Sequence, residues 1–334
     1  MQGENAHESA VELNDSAAQY IVSGDLITAK IKLRKSLTLD PSLAEAHANL
    51  GIMLLATGDY ANGWREFEWR WKIPKFSGDT PEALTRNFWR GELPKAPRRL
   101  FVHCEQGFGD TIHMIRYAIA AQQVGMEVTA SVQPELVRLC KFLPIHRVIS
   151  NADPNPDFDY HCPMMSMPLA MERLLGFSIP FAAGYIPCPP DLYGKWRDRL
   201  KEYDHPRVGI VWKGNPGFAM DRMRSVFLSE IMIAEGLPEG RYFSLQKGGA
   251  EEARAHGLID FTDELTDFAE TSALIANLDV VIAADTAVAH MAGAMGKPVQ
   301  LILSAACDWR WGLSDEKTPW YNSVELHRRD RADA

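Results

Sequence analysis

The spacing of apolar and polar positions changes character along the chain. In residues 1–75 a helix–turn–helix pattern is laid down twice, with small and large apolar residues returning in the same register. From Arg98 onward, short apolar runs alternate with amphipathic helical stretches. "RRLFVHCEQ" predicts a strand, "GFGD" a tight turn and "TIHMIRYAIAAQQVG" a helix that stops at Gly125. "EVTASV" and "HRVIS" predict further strands around the helix "PELVRLCKFL", whose proline suits a first helical turn. The stretch "ADPNPDFDYHCPMMSMP" breaks the pattern and is expected to be irregular. A second alternating set follows "YDHP", with strands at "RVGIVWKGN", "RYFSLQKG", "GLIDFT", "LDVVIAADT" and "PVQLILS". Its clearest helices are "TSALIANL" and "AVAHMAGAMG", and the Pro-rich, then charged segment "PPDLYGKWRDRLKEYDHP" connects the two sets. Strands alternating with helices imply parallel sheets with right-handed crossovers, so the fold class is α/β, with two such units after an all-helical segment.

The repeat at the front has a period of 34 residues, marked by Gly24-Asp25 and Gly58-Asp59. In that register Ala17 matches Gly51, Leu26 matches Tyr60, Ala29 matches Gly63 and Leu33 matches Phe67. The small residues fall where paired helices must approach closely. The segment resembles tetratricopeptide repeats, which share this period. Two repeats are fewer than such arrays need to stand alone, so these helices are expected to pack on the rest of the chain. They serve either as a structural extension or as a docking surface for a protein. The aromatic cluster "WREFEWRW" (Trp64, Phe67, Trp69, Trp71) is expected to join the helices to the next domain.

Composition narrows the function without naming it. The chain has 334 residues, is 46% hydrophobic and 24% charged, and carries a formal net charge of −9. That length suggests two or three globular domains, and the acidic balance argues against nucleic acid as a partner. Five scattered cysteines with no CxxC pair fit neither a disulfide framework nor a zinc site, and point to a cytoplasmic setting. No apolar run is long enough for a membrane span, and the polar N-terminus "MQGENAHESAVELND" has no signal-peptide pattern.

In open α/β sheets ligands bind beyond the carboxyl ends of the strands, so the residues there are the candidates for chemistry. After the first strand, Gly107 and Gly109 permit a sharp turn into a helix, and Asp110 is either its N-cap or a general base. After the first strand of the second unit come Lys213, Asn215, Arg222 and Arg224. They form either an anion site or a solvated loop in which Asp221 pairs with an arginine. Gln246 and Lys247 sit at the next strand end. "VVIAADTAVAHMAGAMGKPV" then delivers Asp285 and Thr286 from a buried strand to a small-residue helix beginning at Ala287. Thr286 can cap that helix, whose free N–H groups can hold a phosphate, and His290 follows one turn later. His290 is either a core residue or part of the same site.

The blocks "GFGDTIHMIRYA", "DRMRS", "SLQKG", "DFAETSALIANLDVVIAADTAVAHMAGAMGKPV" and "DWRWGLSDEKTPWY" together resemble tetratricopeptide-linked bacterial glycosyltransferases related to the heptosyltransferases (family 9-like). The resemblance implies a GT-B fold, with two Rossmann-like domains facing a cleft. Its boundaries would be 1–75 for the repeats, 98–200 for an acceptor-side domain and 205–330 for a nucleotide-sugar-binding domain. It implies a metal-independent, inverting transfer from a nucleotide-sugar to a glycan or protein hydroxyl, with no cofactor and no metal site. Asp110 would be the base, and Lys213, Asn215, Arg222, Arg224, Gln246, Lys247, Asp285, Thr286, Ala287 and His290 would hold the donor. Trp309 and Trp311 become candidates to stack on a sugar. The heptosyltransferases' lysine after a "D-K-H-W"-like stretch is absent, so ADP-heptose is not implied. The competing expectation is a non-catalytic scaffold of the same fold acting through its repeats.

Overall fold

The computed structural model describes residues 2–74, 87–92, 98–182, 184–217, 221–234, 236–304, 307–313 and 316–329. The expected boundary residues 75 and 330 lie outside them.

The chain opens with four helices, α1 (Gln2–Val22), α2 (Leu26–Leu39), α3 (Ala44–Ala56) and α4 (Tyr60–Phe67), the last running into a 3₁₀ turn, Glu68–Lys72. The two Gly-Asp pairs do the same work 34 residues apart. Gly24 and Gly58 adopt φ of +73° and +78°, the left-handed conformation that ends a helix. Asp25 and Asp59 then cap the next helix, accepting from Thr28 N at 3.1 Å and Asn62 N at 3.3 Å. The small residues are required by packing. A Cβ at Gly51 would lie 2.6 Å from the backbone nitrogen of Phe67, and one at Gly63 would collide with Leu55.

This helical unit is fastened to the α/β part by the aromatic cluster and one buried cation. Trp64 meets Trp309 edge to face at 5.3 Å, and Tyr60 meets Trp320 at 5.5 Å. Arg70, fully buried, donates to both Glu105 oxygens at 3.1–3.2 Å, to Glu68 at 2.7 Å and to Ser166 Oγ at 2.8 Å. Trp69 stacks instead on His47 at 3.7 Å, and Trp71 Nε1 reaches Ser166 Oγ at 3.5 Å.

The first α/β unit is a four-stranded parallel sheet of order β3-β2-β1-β4: β1 (Arg99–His103), β2 (Glu127–Val132), β3 (Arg147–Ser150) and β4 (Tyr160–Pro163). β4 lies inside the stretch expected to be irregular. It is only four residues long and ends on Pro163, too short to show a period, but it pairs with β1 and buries His161 and Cys162.

The second unit is a seven-stranded sheet of order β10-β11-β9-β8-β5-β6-β7. Its strands are β5 (Arg207–Val211), β6 (Arg241–Ser244), β7 (Ile259–Asp260), β8 (Val280–Ala284), β9 (Val299–Leu303), β10 (Lys317–Thr318) and β11 (Tyr321–Arg328), all parallel except β10. The five expected strands are present. The sequence pattern missed β10 and β11 because "YNSVELHR" mixes polar and apolar residues and only one face of β11 is covered. β5 and β8 are central and covered on both faces, which accounts for their unbroken apolar runs. Helix Pro190–Leu200 joins the units and packs on helix Phe268–Ala276, where Trp196 Nε1 donates to Glu270 at 2.7 Å. One hydrophobic core runs through both units.

Candidate functional site: a buried polar seam between the sheets

The ends of β1 and β8 face each other, and the helices that follow them are in contact. β1 leads through Gly107 into helix Phe108–Gln123, and β8 leads through Asp285 and Thr286 into helix Ala287–Ala294. Glycine is needed at the first turn because a Cβ at Gly109 would sit 2.9 Å from His290 Cδ2. The two loops expected to line opposite walls of a cleft therefore touch.

Asp110 is not the N-cap of its helix: Gly107 holds that position. Asp110 is the third helical residue, where its Oδ2 accepts from Gly107 N at 3.0 Å in a capping box, while its Oδ1 pairs with Arg310. Burial raises the Asp110 carboxyl above its ordinary range, against the opposing pull of the Arg310 guanidinium. Arg310 is itself buried. It reaches His113 Nδ1 from Nε at 2.7 Å and Asp308 from its NH1 group at 2.8 Å. A ring nitrogen that accepts from arginine is unprotonated, so neutral His113 carries its proton on Nε2.

On the facing side Thr286 Oγ1 accepts from Ala289 N at 3.4 Å and so caps the helix. Asp285, Thr286 and His290 are all buried. Asp285 is pushed up to about 7, first by burial and then by the negative charge of Asp308, while Trp311, Arg224 and Arg310 oppose the rise. His290 is held neutral by burial and by the nearby arginines, first Arg310. Its Nδ1 meets the Tyr321 hydroxyl at 2.9 Å, and its ring stacks on Trp311 at 5.0 Å and His113 at 5.5 Å. Trp309 and Trp311 are buried in this aromatic packing, with Trp309 between Trp64 and Trp320.

The other expected donor residues lie at the ends of β5 and β6 and are engaged locally. Lys213 Nζ donates to Glu252 at 2.6 Å and Lys247 Nζ to the Leu265 carbonyl at 2.9 Å. Gln246 Oε1 accepts from Lys213 N at 2.8 Å and Trp212 N at 3.2 Å, a link between strand ends. Asn215 accepts from Gly217 N at 2.9 Å, and Arg224 Nε donates to Asp221 at 3.1 Å. Arg224 still acts electrostatically on Asp285 and His290. The Arg222 side chain lies outside the described residues.

Arg310, His113, Arg116 and Tyr321 complete the seam and were not anticipated. Buried Arg116 donates to the Trp320 carbonyl and the Tyr185 hydroxyl, each at 2.9 Å, and so also spans the units. His113 and Arg116 carried the signal that singled out His290, polar residues within an otherwise apolar helix. Among the described residues no group of three or more His, Cys, Asp or Glu side chains could hold a metal ion. No described helix is long and apolar enough to cross a membrane.

Comparison with known proteins places the seam in context. Residues 264–325, which carry the Asp285–His290 turn, Arg310 and Tyr321, match glycosyltransferase family 9 (heptosyltransferase). The chain is 26% identical over 304 residues to Protein FlbA of Caulobacter vibrioides, covering 81% of this chain and 50% of that protein. It thus spans about half the length of this relative. Among solved structures, a family 9 glycosyl transferase from Veillonella parvula superposes with a TM-score of 0.51 at 11% identity, over 73% of this chain and 88% of that one. That likeness shows the fold, an α/β arrangement with parallel sheets. ADP-heptose lipopolysaccharide heptosyltransferase II of E. coli aligns over 70% of this chain and 92% of its own, at 11% identity and a TM-score of 0.46.

Proposed function

We propose that the protein is a glycosyltransferase that moves a sugar from a nucleotide-sugar to a hydroxyl acceptor by a metal-independent, inverting displacement. The observation that carries this reading is the meeting of the Gly109-Asp110 turn with the Thr286-capped helix start in one seam, the helix start lying on the segment matched by family 9. Asp110 takes the proton of the acceptor hydroxyl as that oxygen bonds the anomeric carbon. The bond from the anomeric carbon to the diphosphate oxygen breaks, and the nucleoside diphosphate leaves with the electron pair. Free N–H groups at Ala287 and its neighbours face the developing charge. Burial that raises the Asp110 carboxyl strengthens it as a proton acceptor. The five cysteines are free, in keeping with work in the cytoplasm. The acceptor is a glycan or protein hydroxyl, with the helical hairpins, read as tetratricopeptide repeats, as its presenting surface.

Thermal-shift measurements with UDP, ADP, GDP and CMP test this directly. Stabilisation by one of them is expected and would also name the donor's base. Indifference to all four would instead favour a non-catalytic scaffold. The observation on that side is that Lys213 and Lys247 are already engaged by Glu252 and Leu265.

A further inference from the structure

The Arg310 guanidinium joins the two α/β units at the point where the chemistry is proposed. Three of its contacts divide into two kinds. Asp308, two residues earlier, belongs to the same turn and accepts from both the backbone N and the NH1 group of Arg310, at 3.0 and 2.8 Å. Asp110 and His113 come from the facing unit, across 200 and 197 residues of chain. The turn that carries Arg310 is pinned independently, since Thr318 Oγ1 donates to its carbonyl at 2.9 Å. Arg310 also acts on Asp285 and His290, at the start of the helix proposed to receive the diphosphate.

A diphosphate arriving at that helix start brings a second anion to a guanidinium already held by carboxylates. Planar guanidinium forks bind phosphate oxygens as readily as carboxylates, so the two anions compete for the same N–H groups. The contact to Asp308 is local and compatible with either partner. The contact to Asp110 crosses the seam and is the one an incoming diphosphate displaces.

We propose that Arg310 is a latch shared between the base and the donor: it pairs with Asp110 until a nucleoside diphosphate group claims it, so Asp110 is released as a base only when the donor is in place. The inference rests on the proposed glycosyltransferase reading and adds to it a control on when the base is competent. It keeps Asp110 from acting while no sugar is positioned for attack.

The test is a binding cycle on the full chain by calorimetry, using whichever of UDP, ADP or GDP stabilises the wild type, with inorganic pyrophosphate and the matching nucleoside as controls. Asp110→Asn removes the competing anion and is expected to tighten nucleoside diphosphate and pyrophosphate binding at least about threefold, because the binding-competent fraction rises. Arg310→Gln is expected to weaken the same binding about tenfold or more, and the double variant to show no gain over Arg310→Gln alone. Nucleoside binding is expected to be unchanged throughout. Unchanged or weaker diphosphate binding by Asp110→Asn overturns the latch while leaving the transferase reading intact, and so does an equal gain for the bare nucleoside. Failure of every nucleotide to bind the wild type overturns the reading and the latch together. If Arg310→Gln fails to fold, judged by its far-ultraviolet circular dichroism, Asp110→Asn alone still decides.

Discussion

Strand ends in the second sheet supplied two sets of candidates, and they behave differently. At the end of β8, Asp285, Thr286 and His290 are buried against the facing unit, with perturbed protonation and partners drawn from distant sequence. At the ends of β5 and β6, Lys213 and Lys247 reach Glu252 and Leu265, and Gln246 ties two strand ends together. Both sets occupy the topological position where open α/β sheets bind ligands. The difference is that β8 points at the Gly107–Asp110 turn, whereas the β5 and β6 ends meet no part of the first unit through these contacts. A strand end becomes a site when a second element closes over it, because only there does burial shift the protonation of its acids and bases.

The contrast can be broken most directly at Asp110. Asp110→Asn is expected to lower kcat by about 10²- to 10⁴-fold, the range for loss of a general base. A kcat within threefold of wild type in a transfer assay with the responding donor would remove Asp110 from that role. The next largest effect is steric. Gly109→Ala puts a methyl 2.9 Å from His290 Cδ2 and is expected to cost about 1–3 kcal/mol of stability. Gly217→Ala at the β5 side, where only the Asn215 side chain must give, is expected to stay within about 0.5 kcal/mol. Equal melting temperatures for the two variants would show that the seam is not tightly packed.

Protonation separates the regions further. Asp285 binds its proton more tightly in the folded chain, at about 7, than its ordinary 3.8. The folded state therefore holds more protons than the unfolded one between those values, and this residue's contribution to stability falls as pH rises through that window. Buried neutral His113 and His290 act in the opposite sense, losing stability as pH falls below their ordinary 6.5. Comparison with a variant isolates one group. The advantage of Asp285→Asn over the wild type in Tm is expected to grow from pH 4 to pH 7, and a constant difference would contradict the buried, protonated carboxyl. In the same spirit, Arg310→Gln removes a cation that pulls Asp110 down, so the acid limb of kcat/KM is expected to move to higher pH. The smallest effect is expected at the outer strand ends. Lys213→Ala and Lys247→Ala should each change nucleoside diphosphate affinity by less than about threefold, as suits exposed point charges. A tenfold loss in titration calorimetry would return those lysines to the donor site.

Much of this was legible before the fold was known. The β8 run broken by Asp285 and Thr286, the Gly107–Asp110 turn and the twin Gly-Asp hairpin turns are all local features, and local backbone rules produce them. Arg310 was not legible, because its role depends on Asp110 and His113 about two hundred residues away. Trp309 and Trp311 are candidates for stacking on a sugar by family resemblance alone. Packing against Trp64, Trp320 and His290 buries them instead. β4 and β11 escaped notice since one is four residues long and the other covered on a single face.

By itself, then, the sequence determined the helical hairpins, the alternating α/β units and the chemistry carried at each strand end. Those follow from periodicity, turn glycines and helix caps, which act over a few residues. Only the tertiary structure decided which strand ends face one another, which cation serves Asp110 and which acids and bases lose water. Burial and charge pairing depend on distance in space, and the partners that set them here lie about two hundred residues apart in the chain.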